Sequence, residues 1–397
     1  MEKCNYYKFL LVGNKIYINQ DQNLIKLFLV LYWKMRPLSF LGKTAGWPLL
    51  NRFPGFITRA VRVVQFVYDF YRVKVRYQTG GSLSIVQTKC FGHCLLKLRQ
   101  GEIKVFDLKQ DVVTTVFVNG LTEKEVRAQI NTAQKAANCK LAPELIQWNE
   151  KDRYMTEKYI NLSSPSYDFN NLATFYSEVF PILIDILSTT KPKKVDFVKI
   201  SADNLFAAES ILHQFESKYN CIKETQIIRH FINEVNQDLN RVLYRGNIDL
   251  VLSHGDFWEG NILAKRGRYH VIDWMTIGFR TLYFDFYYVM FMQASKKAHL
   301  NTADEGSIND LHRELDMSCQ LFLEKLKRSK RIDAEQMKIP EQFTIYRYLF
   351  YLELIILKLN MGQPKKKGQL FEVITWIKRF KLLEEKRKQD YQYRLTK

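Results

Sequence analysis

The stretch from Leu250 to Val289 constrains this chain more than any other. It opens with an apolar strand, Leu250–Leu252, that delivers His254-Gly255-Asp256, and Asn261 stands five positions past Asp256. A hairpin follows: Ile262–Ala264 and Tyr269–Ile272 read as its strands, the turn falls at Lys265–Arg268, and it ends on Asp273. By folding back, the hairpin returns Asp273 towards Asn261. An amide and a carboxylate that converge as oxygen ligands suit Mg²⁺, a hard cation that keeps phosphate oxygens among its ligands. The other carboxylate, Asp256, is placed to orient an attacking hydroxyl and take its proton. Positioning and charge neutralisation of this kind are what phosphoryl transfer requires of a protein.

The remaining chain falls into two contrasting parts. From Ser82, short segments rich in Val, Ile, Leu and Phe alternate with turn-like groups, and Leu83–Gln87, Cys94–Leu98, Ile103–Leu108 and Val112–Val118 read as an antiparallel meander. Thr122, with Glu125 three residues on, forms a capping box that opens a helix. Leu145–Trp148 and Arg153–Ile160 predict a further hairpin. After Asn161 helical periods dominate, over Leu172–Ser188, Ala207–Tyr219, Thr225–Tyr244, Ser307–Lys327, Phe343–Leu359 and Phe371–Tyr391. The expected fold is α+β and two-lobed, with a small antiparallel-sheet N-lobe over 85–160 and a mostly helical C-lobe over 161–397. Residues 1–84 read as a basic N-terminal extension, partly helical. Within it Leu24, Ile25, Leu27, Phe28, Leu31 and Tyr32 recur at helical spacing until Pro37 stops the pattern, and a second basic, aromatic stretch runs from Arg52 to Arg76.

His254-x-Asp256-x-x-x-x-Asn261 followed by Ile272-Asp273-Trp274 resembles the signature of the aminoglycoside phosphotransferase and choline kinase family. These are relatives of the protein kinases, whose catalytic loop has the same spacing. The resemblance implies a protein-kinase-like fold and an ATP-dependent kinase that phosphorylates a hydroxyl of a small molecule, sugar or glycolipid, with ATP and Mg²⁺ as cofactors. It implies Asp256 as the catalytic residue, Asn261 and Asp273 as the metal ligands, His254 as a structural brace, and Asp285 as a brace of the catalytic loop. Glu157-Lys158-Tyr159 resembles the hinge, so that Glu157 and Tyr159 would offer backbone groups to adenine. The fold also carries a Lys on its third strand, paired with a Glu of the next helix. Glu125 is the candidate Glu. For the Lys, one alignment puts Lys104 on the third strand. The other makes Val112–Val118 the third strand, with the more regular hairpin geometry, and leaves Thr115 where the Lys would be. The glycine-rich loop is thin, with Gly92 or Gly101 alone. A missing phosphate Lys would favour a pseudokinase or regulatory nucleotide-binding module instead.

Charge adds a second theme. The 397 residues include 60 Lys and Arg against 41 Asp and Glu, a formal charge of +19. Residues 1–84 hold 13 basic against 3 acidic side chains, and residues 361–397 hold 11 against 4, so the excess sits at the two ends. Basic ends fit an acidic acceptor or an anionic membrane surface. No helix-turn-helix, RNP or zinc-finger signature accompanies them, and no nucleic acid partner is expected. The cysteines at 4, 90, 94, 139, 221 and 319 are scattered, and Cys90-His93-Cys94 lacks a second pair at zinc-ligand spacing. They fit a reducing compartment. The start of the chain does not read as a signal peptide, and the early apolar run Leu27–Trp33 is far short of the ~20 residues of a membrane span. The expected location is the cytoplasm, peripheral at the membrane if the basic ends dock there.

Overall fold

The structure is a computed structural model, and it describes all residues except 1–5, 14, 37–52, 99–101, 118–119, 166–171, 243, 266, 298–304, 330–341, 362–366 and 396–397. Contacts divide the chain into two compact units. The first comprises Met1–Asn138, Ala142–Pro165 and Ile262–Ile272, and the second Cys139–Leu141, Ser166–Asn261 and Asp273–Lys397.

The first unit is built on an antiparallel sheet. Its strands are β1 (Tyr7–Val12), β2 (Ile16–Asn19), β3 (Ile85–Thr88), β4 (Cys94–Lys97), β5 (Ile103–Asp107), β6 (Val112–Val116), β7 (Leu145–Asn149) and β8 (Tyr154–Lys158), in the order β3-β1-β2-β4-β5-β6-β8-β7. Two helices, α1 (Leu24–Lys34) and α2 (Gly55–Gln78), precede β3, and α3 (Glu123–Ala136) follows β6. The described part of residues 1–84 is therefore not an appendage. It contributes two strands between β3 and β4, and its helices share a core with them: Leu10, Ile18, Leu27, Leu31, Phe70 and Phe106 are all buried in one cluster. Asn23 caps α1 by accepting from the amides of Ile25 and Lys26, and Arg59 of α2 donates to the carbonyls of Leu31 and Tyr32 at its other end. Leu27 and Leu31 face inward while Ile25, Leu29 and Trp33 face solvent. The capping box at Thr122 and Glu125 forms as expected.

The second unit is largely helical: α4 (Leu172–Leu187), α5 (Phe197–Tyr219), α6 (Ile222–Arg241), α7 (Phe284–Lys297), α8 (Glu305–Ser329), α9 (Gln342–Asn360) and α10 (Gly368–Leu395). A small antiparallel sheet sits among them, with β10 (Asn247–Ser253) between β9 (Lys193–Asp196) and β13 (Gly278–Thr281). The core is aromatic. Phe284, Phe286, Tyr287, Tyr288 and Phe291 of α7 are buried, and Phe350, Tyr351, Trp376 and Phe380 of α9 and α10 pack with them. A buried ion pair fastens α10 to α9: Arg347 Nε lies 2.7 Å from Glu384 Oε1, and the Tyr351 hydroxyl donates to the same oxygen at 2.7 Å. This is an α+β architecture with an antiparallel N-terminal sheet and a largely helical C-terminal unit, consistent with a protein-kinase-like fold.

Candidate active site

β10 is the strand that delivers the motif. Ile248, Val251 and Leu252 anchor it in the core, and it ends at Ser253, so that His254-Gly255-Asp256 leaves the sheet as a tight turn. Gly255 adopts φ +85°, and a Cβ there would meet the Thr276 carbonyl oxygen at 2.6 Å and Arg280 Nη1 at 2.8 Å. Both the backbone conformation and the space thus require glycine. The turn is held from below by Asp285, the second residue of α7. Its buried carboxylate accepts from His254 N at 2.7 Å, Gly255 N at 2.9 Å and Ser253 Oγ at 3.0 Å. Arg280 of β13 adds donors to the Thr276 carbonyl at 2.6 Å and Ser253 Oγ at 3.3 Å. Burial lowers the Arg280 pKa, while Asp285 and Glu353 pull it back up. His254 is fully buried, accepts from Asp256 N through Nδ1 at 3.2 Å, and lies edge-on to Trp274 with centroids 4.6 Å apart.

This scaffold presents the Asp256 carboxylate, which stays partly open to solvent. Oδ2 accepts from Asn261 Nδ2 at 3.1 Å, and the same amide nitrogen donates to the Asp256 carbonyl at 2.9 Å. Oδ1 accepts from the Tyr288 hydroxyl. Lys358 Nζ donates to that hydroxyl at 3.2 Å, stands 3.9 Å from Oδ1 and pairs with Glu372 at 3.2 Å. An ammonium only donates, so the Tyr288 oxygen must accept from Lys358 and give its single proton to Asp256. Burial first, and Asp256 second, push the Tyr288 pKa well up, which keeps that proton in place.

Asn261 closes a short 3₁₀ turn, Glu259–Asn261, and is buried. With its nitrogen turned to Asp256, its amide oxygen is left facing elsewhere. The hairpin β11 (Ile262–Lys265) and β12 (Arg268–Val271) pairs Ile262 with Val271, so Asn261 and Asp273 leave it from the same end, as the sequence reading expects. Asp273 is exposed and sits in the left-handed region at φ 66°, ψ 54°. Asp and Asn tolerate that conformation better than other non-glycine residues, because a short polar side chain can satisfy the backbone locally. Among the described residues no group of three His, Cys, Asp or Glu side chains gathers as a metal cluster.

The nucleotide candidates of the first unit fare differently. Counted from β4, β6 is the third strand of the meander and leads towards α3, whereas Lys104 lies on β5, opposite Thr115 in register. Thr115 is buried and its hydroxyl has no hydrogen-bond partner. Glu125 does not reach a strand lysine. Its Oε2 accepts from Thr122 N at 2.7 Å and Thr122 Oγ1 at 2.9 Å, and these bonds hold its carboxyl below the ordinary range. The hinge segment is also partly committed. Lys158 N donates to the Glu144 carbonyl and Tyr159 N to the Asp111 carbonyl, each at 2.9 Å or less, and the Tyr159 ring packs edge-on to Phe106 in the core. Glu157 pairs within the sheet with Val113 and Leu145. Of the two residues the resemblance would turn to adenine, Glu157 lies within the sheet and the Tyr159 amide is already bonded to the Asp111 carbonyl.

The family model of the ecdysteroid kinase-like family matches residues 201–321. That span contains the Asp256 loop, the hairpin and Asp285. A search of curated proteins returned no match. Among solved structures, the choline kinase LicA from Streptococcus pneumoniae is 15% identical over 72% of this chain and 89% of its own, with a TM-score of 0.43. An ethanolamine kinase from Plasmodium vivax is 13% identical over 87% and 94%, with a TM-score of 0.41. A choline/ethanolamine kinase family protein from Mesorhizobium loti is 14% identical over 73% and 88%, with a TM-score of 0.41.

Two residues around Asp256 escape sequence reasoning. Tyr288 is one helical turn past Asp285, so its place on the same face of α7 was available from spacing alone. Lys358 carried a signal too: it is the one Lys of α9, flanked by Leu354, Ile355, Ile356, Leu357 and Leu359. A lone cation in such a run is buried only with partners.

Proposed function

We propose that this chain is an ATP-dependent phosphotransferase that phosphorylates a hydroxyl group of a small molecule or glycan. One observation carries the reading: a partly exposed carboxylate, Asp256, is fixed at both oxygens by Asn261 and Tyr288 on a loop braced by the buried Asp285. A carboxylate held in that way can orient an acceptor hydroxyl and take its proton as the oxygen bonds to the γ-phosphorus and the bond to the ADP oxygen breaks. Mg²⁺ fits the donors present, because the Asn261 amide oxygen and the Asp273 carboxylate are hard ligands leaving the hairpin at one end. When bound there it would neutralise phosphate charge, with Asn261 and Asp273 holding it. The likeness of residues 201–321 to the ecdysteroid kinase-like family supports the same reading.

Thr115 on the strand before α3, and a Glu125 engaged with its own helix cap, favour a second reading: a module that binds nucleotide without turning it over. One experiment separates the two. The protein is incubated with γ-labelled ATP, Mg²⁺ and pools of metabolites and glycans, beside an Asp256→Asn control. The phosphotransferase reading expects label in an acceptor fraction, reduced roughly 10²–10⁴-fold in the control. Measurable ATP binding with no transfer to any fraction favours the second reading.

A further inference from the structure

We infer that the α1–α2 face of the first unit is a docking surface for anionic lipid bilayers. Its apolar side chains are on the outside. In α2, Val61, Val64, Tyr68, Tyr71 and Val75 recur at three- and four-residue steps and are 38–56% exposed. In α1, Ile25, Leu29 and Trp33 recur at four-residue steps and are 49–71% exposed. Both stripes lie apart from the side chains that hold the helices to the sheet, which are Leu27 and Leu31 in α1 and Val63 and Phe70 in α2. A shallow groove lies between the helices, lined only by apolar and aromatic residues: Leu24 and Phe28 on one wall, Val64, Val67, Tyr68 and Tyr71 on the other. The α2 stripe thus continues through Val64, Tyr68 and Tyr71 into the groove, whose α1 wall is formed by the sequence neighbours of Ile25 and Leu29. A solvated helix would carry polar residues at these positions, and a continuous exposed patch of this kind marks an interaction surface.

Charge identifies the partner. The two helices hold seven Lys and Arg against Asp69 alone. Exposed Lys26 adjoins the α1 stripe, and exposed Arg72 and Arg76 flank the α2 stripe. Tyr and Trp rings beside Lys and Arg, around an aliphatic centre, are the composition that settles at a headgroup boundary. A second copy of this chain would bring two like-charged faces together, which disfavours self-association. Anionic lipid supplies both the apolar depth and the opposite charge. Among the described residues no helix is long and apolar enough to cross a membrane, so the contact is peripheral.

The test is co-sedimentation of the full chain with phosphatidylcholine vesicles and with vesicles containing about one-third phosphatidylserine, at about 0.15 M salt, where the screening length is ~8 Å. Two variants accompany it: Val64→Ser/Tyr68→Ser/Tyr71→Ser, and Arg72→Glu/Arg76→Glu. All five positions, three on the stripe and two on its flank, are solvent-facing, and matched thermal melts check that folding is retained. Expected is binding to the phosphatidylserine vesicles at least about tenfold above the phosphatidylcholine background, with each variant returning to that background. Binding by the intact chain no better than background overturns the inference. So does binding that both variants retain, since the attraction would then lie elsewhere, for example in the basic C-terminal residues. A concentration-dependent dimer in light scattering that the serine variant abolishes assigns the face to a second copy and also overturns it.

Discussion

Asp256 depends on side chains that reach it through one another. Tyr288 donates to Oδ1 while its oxygen accepts from Lys358, and Glu372 holds the Lys358 ammonium in turn. Tyr288→Phe removes the proton donor while keeping the ring. Expected is a kcat lowered about tenfold or more with the Kd for ATP unchanged, since a hydrogen bond to a charged group is worth about 1.5–3 kcal/mol. Lys358→Met should behave likewise and Lys358→Arg should restore part of the rate; unchanged kcat in both single variants removes Tyr288 and Lys358 from the site. A second residue gives a pH signature. Glu353 is buried on α9, where it accepts from Thr281 N at 3.0 Å and Thr281 Oγ1 at 2.6 Å. Burial pushes its carboxyl up to about 7, against the pull of Thr281 and Arg280 in the other direction. The folded state therefore holds this proton more tightly than the unfolded chain. Its stabilising effect is complete below the ordinary carboxyl pKa, declines as pH rises, and is gone above about 7. Glu353→Gln should leave stability nearly unchanged at the acid end and raise it by on the order of 1–3 kcal/mol at the alkaline end, read by urea unfolding on either side of neutrality. An equal shift at both ends would mean that the proton is not what differs.

At the scale of elements, α9 and α10 are joined by charge as well as by rings. Arg347 and Glu384 are buried in a bidentate pair, with Nη2 to Oε2 at 3.1 Å completing it. Burial works against the charged carboxyl, yet Arg347 and the Tyr351 hydroxyl hold Glu384 below its ordinary range. Glu384→Ala leaves the Arg347 charge buried and unpaired, and should cost about 3–5 kcal/mol. A loss under about 1 kcal/mol in urea unfolding would show that the pair is solvated in solution. The elements differ in how far their sequences reveal them. The segment from β10 to the start of α7 is legible because its geometry is local: a strand, a glycine that must be glycine, a hairpin whose register follows from its length, and Asp285 soon after. α1 was legible from its period and Pro37. β1 was not, since Tyr7–Val12 is a short apolar run that strand and helix share, and its place between β3 and β2 is fixed by neighbours far along the chain. Tyr288 and Lys358 each leave a sequence signal, but that the two meet at Asp256 is not legible, as α9 meets α7 only through tertiary packing. At α3 the capping box is legible in the sequence, whereas Glu125 engages Thr122 in that cap rather than a strand lysine.

For the molecule as a whole, the basic excess near the N-terminus and the proposed phosphotransfer chemistry belong to different parts of the chain. Seven of the thirteen basic side chains of residues 1–84 lie on α1 and α2, helices integral to the sheet unit rather than to a detachable tail, while Asp256, Asn261, Asp273 and Asp285 all belong to the helical unit. The proposed lipid contact and the proposed catalysis can therefore be tested apart, by substitutions that share no residue. The measurement that bears most directly on the catalytic claim is ³¹P NMR of ATP, Mg²⁺ and an acceptor pool with the wild-type chain and with Asp256→Asn, alongside ATP binding by both. Expected is a phosphomonoester resonance that grows as the γ-phosphate signal of ATP falls in the wild type, and its loss in a variant that still binds ATP. Undiminished transfer by Asp256→Asn, or bound ATP whose γ-phosphate the wild type leaves intact with every acceptor, would contradict it.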